Sequence, residues 1–162
     1  MLRDAEERDL ATMRRWRNHP QVRAASLTTH EIGESEHERW WAAMCDDPTT
    51  RVLVYHHDDT AAGVVTFFGL DSGSGYWGFY LDIDGLSEKL LAAWFGLERE
   101  AIGHAFGPLG LTTLRGEVLA DNEAVMRLHH RFGFVEVGRR RQAVEGVRRE
   151  VVTIQLTRKD QA

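Results

Sequence analysis

Side chains able to move protons lie close together between Glu117 and Phe134, where the segment reads EVLADNEAVMRLHHRFGF. Glu117 lies near the end of a predicted strand, and two adjacent histidines, His129 and His130, lie near the end of the predicted helix that follows. Carboxylates and imidazoles are common general bases and acids in enzymes. The segment therefore indicates proton-transfer chemistry, which must be weighed against structural roles for the same residues.

Glu117 is a candidate general base. In the strand LRGEVL, Arg115 and Glu117 share one face, whereas Leu114, Gly116 and Val118 share the other. A carboxylate near the strand end can take a proton directly or through a water molecule. The competing interpretation is a surface salt bridge with Arg115 or another arginine, which is a common role for a glutamate in a strand. The sequence leaves both roles open.

Helical spacing separates the two histidines. Val125, His129 and Phe132 lie four and three positions apart, so they share a side, and His129 is expected to face inward. His130 lies on a different side and is expected to be solvated. An imidazole has an ordinary pKa near 6.5, so it can donate or accept a proton at working pH. His129 can therefore be an acid, a base or a packing residue.

Composition restricts the class of protein. The 162 residues suit one domain with a core, and a net charge of −5 argues against general nucleic-acid binding. The single cysteine, Cys45, excludes an internal disulfide and fits a reducing compartment. No signal peptide or membrane span is evident, so the expected location is cytoplasmic. No metal site is expected, and arginines far outnumber lysines, as in proteins of GC-rich bacteria.

The elements that position these residues alternate along the chain as β-α-α-β-β-β-α-β-α-β-β. This order predicts one α+β domain, spanning residues 1–162, with a single mixed sheet. The predicted strands are Leu2 to Asp4, a hairpin turning near Asp58 and Asp59, Tyr76 to Ile83, TTLRGEVLA, and a closing hairpin turning at Glu145-Gly146. Four helices are predicted. The first lies in EERDLATMRRWRNHP and stops before Pro20, and the second is capped by Ser35 with Glu38. The third runs from about Ser87 or Leu90 to Phe106, and the fourth from Asn122 to Phe132.

This order and the motif from Asn122 to Phe134 resemble the GNAT N-acetyltransferases. Their signature, N-x-x-A-x-x-L-Y-x-x-x-G-F, is matched here by Asn122, Ala124 or Val125, Leu128, His129, Gly133 and Phe134. WRNHPQVR and EHERWW are similar to segments of amino-sugar N-acetyltransferases of the pseudaminic acid pathway, and less closely to ribosomal-protein N-acetyltransferases. The resemblance implies a mostly antiparallel mixed sheet with helices on both faces, acetyl-coenzyme A as donor and a primary amine as acceptor.

The resemblance also implies roles in acyl transfer. Glu117 would be the base, and His129 occupies the place of a tyrosine that protonates the leaving thiolate in many family members. Tyr80 would take part in catalysis, line the acceptor site, or be a core residue. Asn122 caps its helix and would contact the pantetheine arm. The strand around GFYL would pair with the pantetheine amides. The cofactor contacts on these elements would be Phe79, Leu81, Ile83, Asn122 and Leu128.

The loop that binds the coenzyme A pyrophosphate in this family departs from its usual glycine-rich pattern. It falls at KLLAAWFG, where Lys89, Leu90, Leu91, Ala92, Ala93 and Trp94 would contact the cofactor. Glycines there normally let backbone N–H groups reach phosphate oxygens. The same residues equally fit the buried side of a longer helix starting at Ser87. The loop therefore binds coenzyme A with altered geometry, binds it poorly, or serves a different donor such as an aminoacyl-tRNA.

The first two helices would cover the acceptor cleft. Their aromatic side chains could stack on a sugar ring, and an arginine could pair with a phosphate. The candidate acceptor contacts are Trp16, Arg17, Asn18, His37, Trp41 and Trp77, and Trp40 is a further aromatic candidate beside Trp41. Core packing is the alternative for Trp16, Trp40 and Trp41. An amino sugar, free or nucleotide-linked, is the favoured acceptor. A protein N-terminus and a non-catalytic ligand-binding role remain alternatives, and a homodimer is compatible with the sequence.

Overall fold

A computed structural model of the chain describes the backbone of residues 1–161 and the side chains of residues 1–159. Seven strands form one sheet in the order β1-β2-β3-β4-β5-β7-β6, in which β4 and β5 are parallel and the other neighbours are antiparallel. The strands are β1 (Leu2–Asp4), β2 (Arg51–His57), β3 (Thr60–Asp71), β4 (Ser74–Leu81), β5 (Thr113–Leu119), β6 (Val135–Val144) and β7 (Val147–Thr157). The predicted mixed, mostly antiparallel sheet is confirmed.

Six α-helices connect the strands within the described residues. They are α1 (Leu10–Arg17), α2 (Pro20–Ala24), α3 (Glu34–Asp46), α4 (Ile83–Leu86), α5 (Leu90–Phe106) and α6 (Glu123–Arg131). Short 3-10 turns lie at Glu7–Asp9, Ser87–Lys89 and Arg158–Gln161. The long helix predicted before Phe106 is therefore α5, and it begins at Leu90 rather than Ser87.

Helices cover both faces of the sheet, as predicted. Successive residues of β2 alternate between two hydrophobic clusters, because side chains of a strand point to opposite faces in turn. Leu53 and Tyr55 join the larger cluster with Leu97 of α5, whereas Val54 joins the smaller cluster with Met13 of α1. Leu97 and Met13 have no exposed surface, and burying each such side chain contributes about 1.5–3 kcal/mol.

Both predicted hairpins are present. β2 and β3 are joined at Asp58 and Asp59, whose φ angles are 49° and 64°. β6 and β7 are joined at Glu145 and Gly146, with φ angles of 47° and 86°. Two consecutive residues with positive φ form the type I′ turn, which matches the twist of antiparallel strands.

The first helical region differs from the prediction at Pro20. The sequence predicts that the helix stops before this proline, and α1 does end at Arg17, but Pro20 also begins α2. Proline suits the first position of a helix because its missing N–H has no intrahelical partner there. His19 caps α2, since its Nδ1 accepts from the backbone N–H of Gln21 at 3.1 Å.

Two other predicted boundaries are wrong. The capping box at Ser35 is not formed, because α3 begins one residue earlier at Glu34 and Gly33 occupies the N-cap position. The strand predicted to reach Ile83 ends at Leu81. Asp82 leaves the sheet and caps α4, since its side chain accepts from the N–H of Gly85 at 3.0 Å.

The parallel pair β4 and β5 separates along its length. The strands are paired from Ser74 with Thr113 to Trp77 with Gly116, and their pairing ends there. β4 continues to Leu81 against β3, while β5 continues to Leu119 against β7. The two strand ends therefore diverge, and a slot opens between them in the middle of the sheet.

Candidate active site

A cavity of about 800 Å³ occupies this slot. Its walls come from the separated ends of β4 and β5, the first turns of α5, helix α6, and the helices α1 to α3 with the loop between α2 and α3. The cavity therefore reaches from one face of the sheet to the other. A ligand lying in it would contact the side chains of both separated strands.

Many of the predicted site residues line this cavity together. Those residues are Arg17, His37, Trp77, Phe79, Tyr80, Leu81, Ile83, Leu90, Trp94, Glu117, Asn122 and His129. The remaining predicted residues lie outside its lining: Trp16, Asn18, Trp41, Lys89, Leu91, Ala92, Ala93 and Leu128. The structure thus brings the two proposed proton-transfer residues into one cavity and separates part of the proposed binding set from it.

Glu117 lines the cavity and makes an ion pair at the same time. Its side chain is 25% exposed, and its Oε2 accepts a hydrogen bond from Nη2 of Arg140 on the edge strand β6. The same Nη2 donates to Oε1 of Gln142 at 2.7 Å. The salt bridge to an arginine that the sequence offered is therefore present, with Arg140 as its partner. The role of Glu117 as a general base stays a prediction, and its place on the cavity wall is compatible with that role.

His129 faces inward and is buried, as predicted, whereas its neighbour His130 is exposed. The imidazole lies between Trp77, Phe79 and Phe134, whose ring centroids are 5.6, 6.0 and 5.4 Å from its own. Gly133 ends α6 with φ 98°, which brings Phe134 back against the histidine. The ring is therefore held in a fixed orientation at the cavity wall.

Sequence reasoning missed the partner of His129. Oε1 of Glu98 on α5 lies 2.6 Å from Nδ1 of His129, and both side chains are buried. Glu98 comes four residues after Trp94 and three before Ala101, two residues that the sequence places on the buried side of this helix. That spacing was the available signal that Glu98 also faces the interior.

The helical alternative for residues 89–96 is confirmed, because α5 begins at Leu90 and no glycine-rich loop precedes it. Leu90 and Trp94 form part of the cavity wall and leave the cavity open. Lys89 is exposed and lies 3.7 Å from Asp58, and Leu91 is 62% exposed.

The remaining predicted cofactor contacts on α5 and α6 do not share one environment. Ala93 and Leu128 are buried in the interior, whereas Ala92 lines a separate small surface pocket. Asn122 caps α6, since its Oδ1 accepts from the N–H of Val125 at 3.4 Å, and it also lines the main cavity.

The other end of the cavity combines aromatic side chains with one cation. Nη2 of Arg17 donates to the carbonyl oxygen of Thr28 at 3.0 Å, whereas Nη1 is buried without a hydrogen-bond partner among the described residues. Burial lowers the pKa of Arg17, yet a guanidinium stays charged at any working pH. Burial raises the pKa of Tyr80, so its phenol keeps its proton. Arg17 therefore places a positive charge at the cavity wall, while its Nη1 is itself buried in the protein.

His37 and Trp40 complete this end of the cavity. Their rings stack with centroids 5.0 Å apart, and burial lowers the pKa of His37, which favours the neutral imidazole. Trp41, the predicted contact, lies outside the cavity and packs in the smaller cluster instead. Trp16 is buried there as well, and the Asn18 side chain is bonded to the backbone of Ile32.

The loop between α2 and α3 forms one wall of the cavity and is attached to the β6–β7 turn. The Glu145 side chain accepts from the N–H and hydroxyl of Thr29 and from the N–H of His30. The His30 ring lies between Glu145 and Glu36, at 2.8 Å from each carboxylate. The hydrogen bond with Glu145, and after it the one with Glu36, are the main causes that raise the pKa of His30. The contact joins segments more than a hundred residues apart.

Two further properties of the described residues bear on the site. No helix among them is long and apolar enough to cross a membrane. No group of three or more histidine, cysteine, aspartate or glutamate side chains in the described part of the chain is arranged to hold a metal ion. The cavity wall instead carries the carboxylates of Glu36 and Glu117, the guanidinium of Arg17 and two histidines, His37 and His129. His129 is the histidine paired with Glu98.

The separated parallel strand pair with a cavity between its ends belongs to a fold that is shared with solved N-acetyltransferases. The model of the acetyltransferase (GNAT) domain family matches residues 1–135. The chain belongs to this family and is an N-acetyltransferase.

The chain is similar to known acetyltransferases in sequence and in fold. The acetyltransferase PseH of Campylobacter jejuni is 25% identical over 122 residues, which is 74% of this chain and 73% of that protein. A spermidine N-acetyltransferase from Vibrio cholerae, solved with CoA and spermine, is 18% identical with a TM-score of 0.84, covering 99% of this chain and 96% of that one. A ribosomal-protein-alanine N-acetyltransferase from Brucella melitensis is 19% identical with a TM-score of 0.78, covering 97% and 99%.

Proposed function

We propose that this enzyme transfers an acetyl group from acetyl-coenzyme A to the primary amine of a small molecule, with an amino sugar as the favoured acceptor. The observation that carries the proposal is that Glu117 and His129 line one open cavity at the point where β4 and β5 separate. A nitrogen held there would have a carboxylate available as its base and an imidazole as the acid for the leaving group.

The donor fits the free side of β4. Residues Gly78 to Leu81 have no strand partner on the side that faces the slot, so their backbone can pair with an extended amide-containing arm such as pantetheine. Asn122 on the α6 side borders the same slot. No side chain caps α5 at its N-terminus, although the N–H of Leu90 is bonded to the carbonyl oxygen of Ser87. A phosphate would therefore be bound by later N–H groups of the first turn, without the usual glycines. Lys89, released from Asp58, would add positive charge.

The acceptor amine must lose a proton before or during attack, because an alkylammonium has a pKa around 10 in water. Glu117 takes that proton, directly or through water. Because Arg140 shares the carboxylate, the base acts from within an exposed ion pair. His129 donates a proton to the sulfur as the thioester bond breaks. The chain thereby supplies both proton transfers that aminolysis of a thioester requires.

The amino-sugar assignment depends on the aromatic end of the cavity. Trp40 and Tyr80 offer apolar faces to a sugar ring, and the cationic guanidinium of Arg17 on the same wall suits a hydroxyl or phosphate oxygen. The similarity to PseH points in the same direction. Glu36 and Glu117 on the cavity wall suit a cationic amine of any kind, so a protein N-terminus is the second candidate.

Two measurements test the proposal. Acetyl-coenzyme A should raise the melting temperature, whereas the same concentration of free adenosine should not. Thiol release is then followed with free and nucleotide-linked amino sugars, spermidine and peptides with free N-termini. The highest kcat/KM is expected for an amino sugar. Preference for a peptide would replace the acceptor, and absence of both stabilisation and thiol release would refute acetyl transfer from coenzyme A.

A further inference from the structure

Glu98 is the one acidic side chain without exposed surface among the described residues. Its Oε1 contacts Nδ1 of His129 at 2.6 Å, and its Oε2 is buried without a hydrogen-bond partner in the described chain. Carboxylates are rarely buried, and taking one out of water costs several kcal/mol. An apolar side chain of similar volume is often as stable or more stable at such a position. Stability alone therefore does not explain Glu98.

The contact determines which nitrogen of His129 is available to the cavity. An ionised carboxylate accepts hydrogen bonds and cannot donate them, so Nδ1 carries a hydrogen toward Glu98. Trp77 and Phe79 pack against the ring with interplanar angles of 69° and 89°. Nε2 is the ring nitrogen that Glu98 does not engage, and His129 lines the cavity. The arrangement therefore presents Nε2 to the ligand.

We propose that Glu98 is a positioning residue that holds hydrogen on Nδ1 of His129 and stabilises the imidazolium, so that Nε2–H can protonate the leaving thiolate. The inference rests on the proposed function. When the carbon–sulfur bond breaks, its electron pair stays on sulfur, and the proton on Nε2 moves to sulfur. The ring is left neutral with its Nδ1–H still bonded to Glu98, and solvent restores the second proton. A phenol in the place of His129 would need no such carboxylate.

Glu98→Gln tests the charge without removing the contact, because the amide oxygen can still accept from Nδ1. We expect kcat to fall by about 10-fold or more, within the roughly 10²–10⁴-fold that a positioned general acid supplies. KM for acetyl-coenzyme A should be unchanged, and the alkaline limb of the pH–kcat profile should move to lower pH. Glu100→Gln, on the same helix and 38% exposed, is the matched control and should keep the profile of the unaltered enzyme.

A second background separates positioning from a purely structural role. In a His129→Tyr variant the phenol can donate its own proton, so adding Glu98→Gln should cost no kcat and should relieve the burial of an unpaired carboxylate. Equal losses from Glu98→Gln in both backgrounds would overturn the inference. An unchanged kcat and pH profile in the single variant would overturn it as well.

Nitrogen-15 NMR of the His129 ring in the unaltered protein tests the pair without any substrate. The inference expects a hydrogen on Nδ1, and a ring with hydrogen only on Nε2 would overturn it, even if Glu98→Gln does not fold. Failure of the proposed function is a different result. It would appear as no thiol release with any amine, whereas the ring spectrum would still report whether Glu98 and His129 are paired through Nδ1–H.

Discussion

The substitution Glu117→Gln tests whether this carboxylate acts as a base or serves only as the anionic partner of an ion pair. Glutamine keeps the size of the side chain and can still accept a hydrogen bond from Arg140, but it cannot take a proton from the amine. We expect kcat to fall by about 10²–10⁴-fold, the contribution typical of a general base. At about 1.36 kcal/mol per factor of ten, this loss raises the activation free energy by roughly 2.7–5.4 kcal/mol.

The same substitution should hardly change the stability of the fold. The Glu117 and Arg140 side chains are 25% and 46% exposed, so water screens their attraction, and such pairs contribute about 0–1 kcal/mol. For a domain of this size, a loss of that order lowers the melting temperature by no more than about 2–4 °C. A large rate effect with a small stability effect is therefore the expected signature of a base.

Arg140→Met is the matched control, because it breaks the same ion pair and keeps the carboxylate. We expect a comparable small change in melting temperature and no fall in kcat. The assay is thiol release at saturating acetyl-coenzyme A and amine, with melting followed by circular dichroism. An unchanged kcat in Glu117→Gln would refute the base assignment. Equal losses of kcat in both variants would show that the ion pair, rather than the carboxylate, is what turnover needs.

Two further predictions concern the slot and its wall. A Cβ added at Gly78 in the slot or at Gly103 on the exposed side of α5 meets no atom within 4 Å, so Gly78→Leu and Gly103→Leu should both fold. Only Gly78→Leu should lower kcat/KM for the amine, by about 10²-fold as for a misplaced reactant; equal values in the two variants would argue against the slot. The raised pKa of His30, between Glu145 and Glu36, means that its ion-pair contribution is complete below its ordinary pKa of about 6.5 and is lost as pH rises through the raised value. The hydrogen bonds from Thr29 and His30 lower the pKa of Glu145 to about 2. The stability that Glu145 contributes is therefore complete above its ordinary pKa of 4.5, and this contribution is lost as pH falls toward 2. Hydrogen exchange at the His30 amide, corrected for intrinsic rates, should be slowest between about pH 4.5 and 6.5, where both contributions are complete. An exchange rate that does not change across about pH 5–9 would contradict the contact.

The sequence predicted the architecture well because most of that information is local. Alternation in the strands and three-to-four spacing in the helices follow from backbone geometry. The inward side of His129 followed from this periodicity, and the cap at Asn122 followed from the capping preference of asparagine at a helix start; both are confirmed. The failures were also local. Pro20 ended one helix and began another, and Gly33 displaced Ser35 as the cap, because a boundary depends on which of several competing residues finds its partner.

The site was only partly predictable, because periodicity identifies a buried side without identifying what lies opposite. Trp40 and Trp41 are adjacent, and only the orientation of α3 on the sheet decides that Trp40 borders the cavity. Residues 89–96 were read both as a loop and as a helix. The structure has the helix, since Ala93 and Leu97 of α5 pack into the core, a contact that the local pattern allowed but did not require.

The order of the strands and of the longer helices, the face of each strand and the family signature were determined by the sequence alone, because they depend on spacing along one chain. The short helices α2 and α4 were not predicted. The tertiary structure decided the partners. Glu98 is 31 residues from His129, Arg140 is 23 from Glu117, and Glu145 is 116 from Thr29. Each pair forms only when separately folded segments pack against one another. Charges and hydrogen bonds at the site depend on such long-range contacts, which no local pattern specifies.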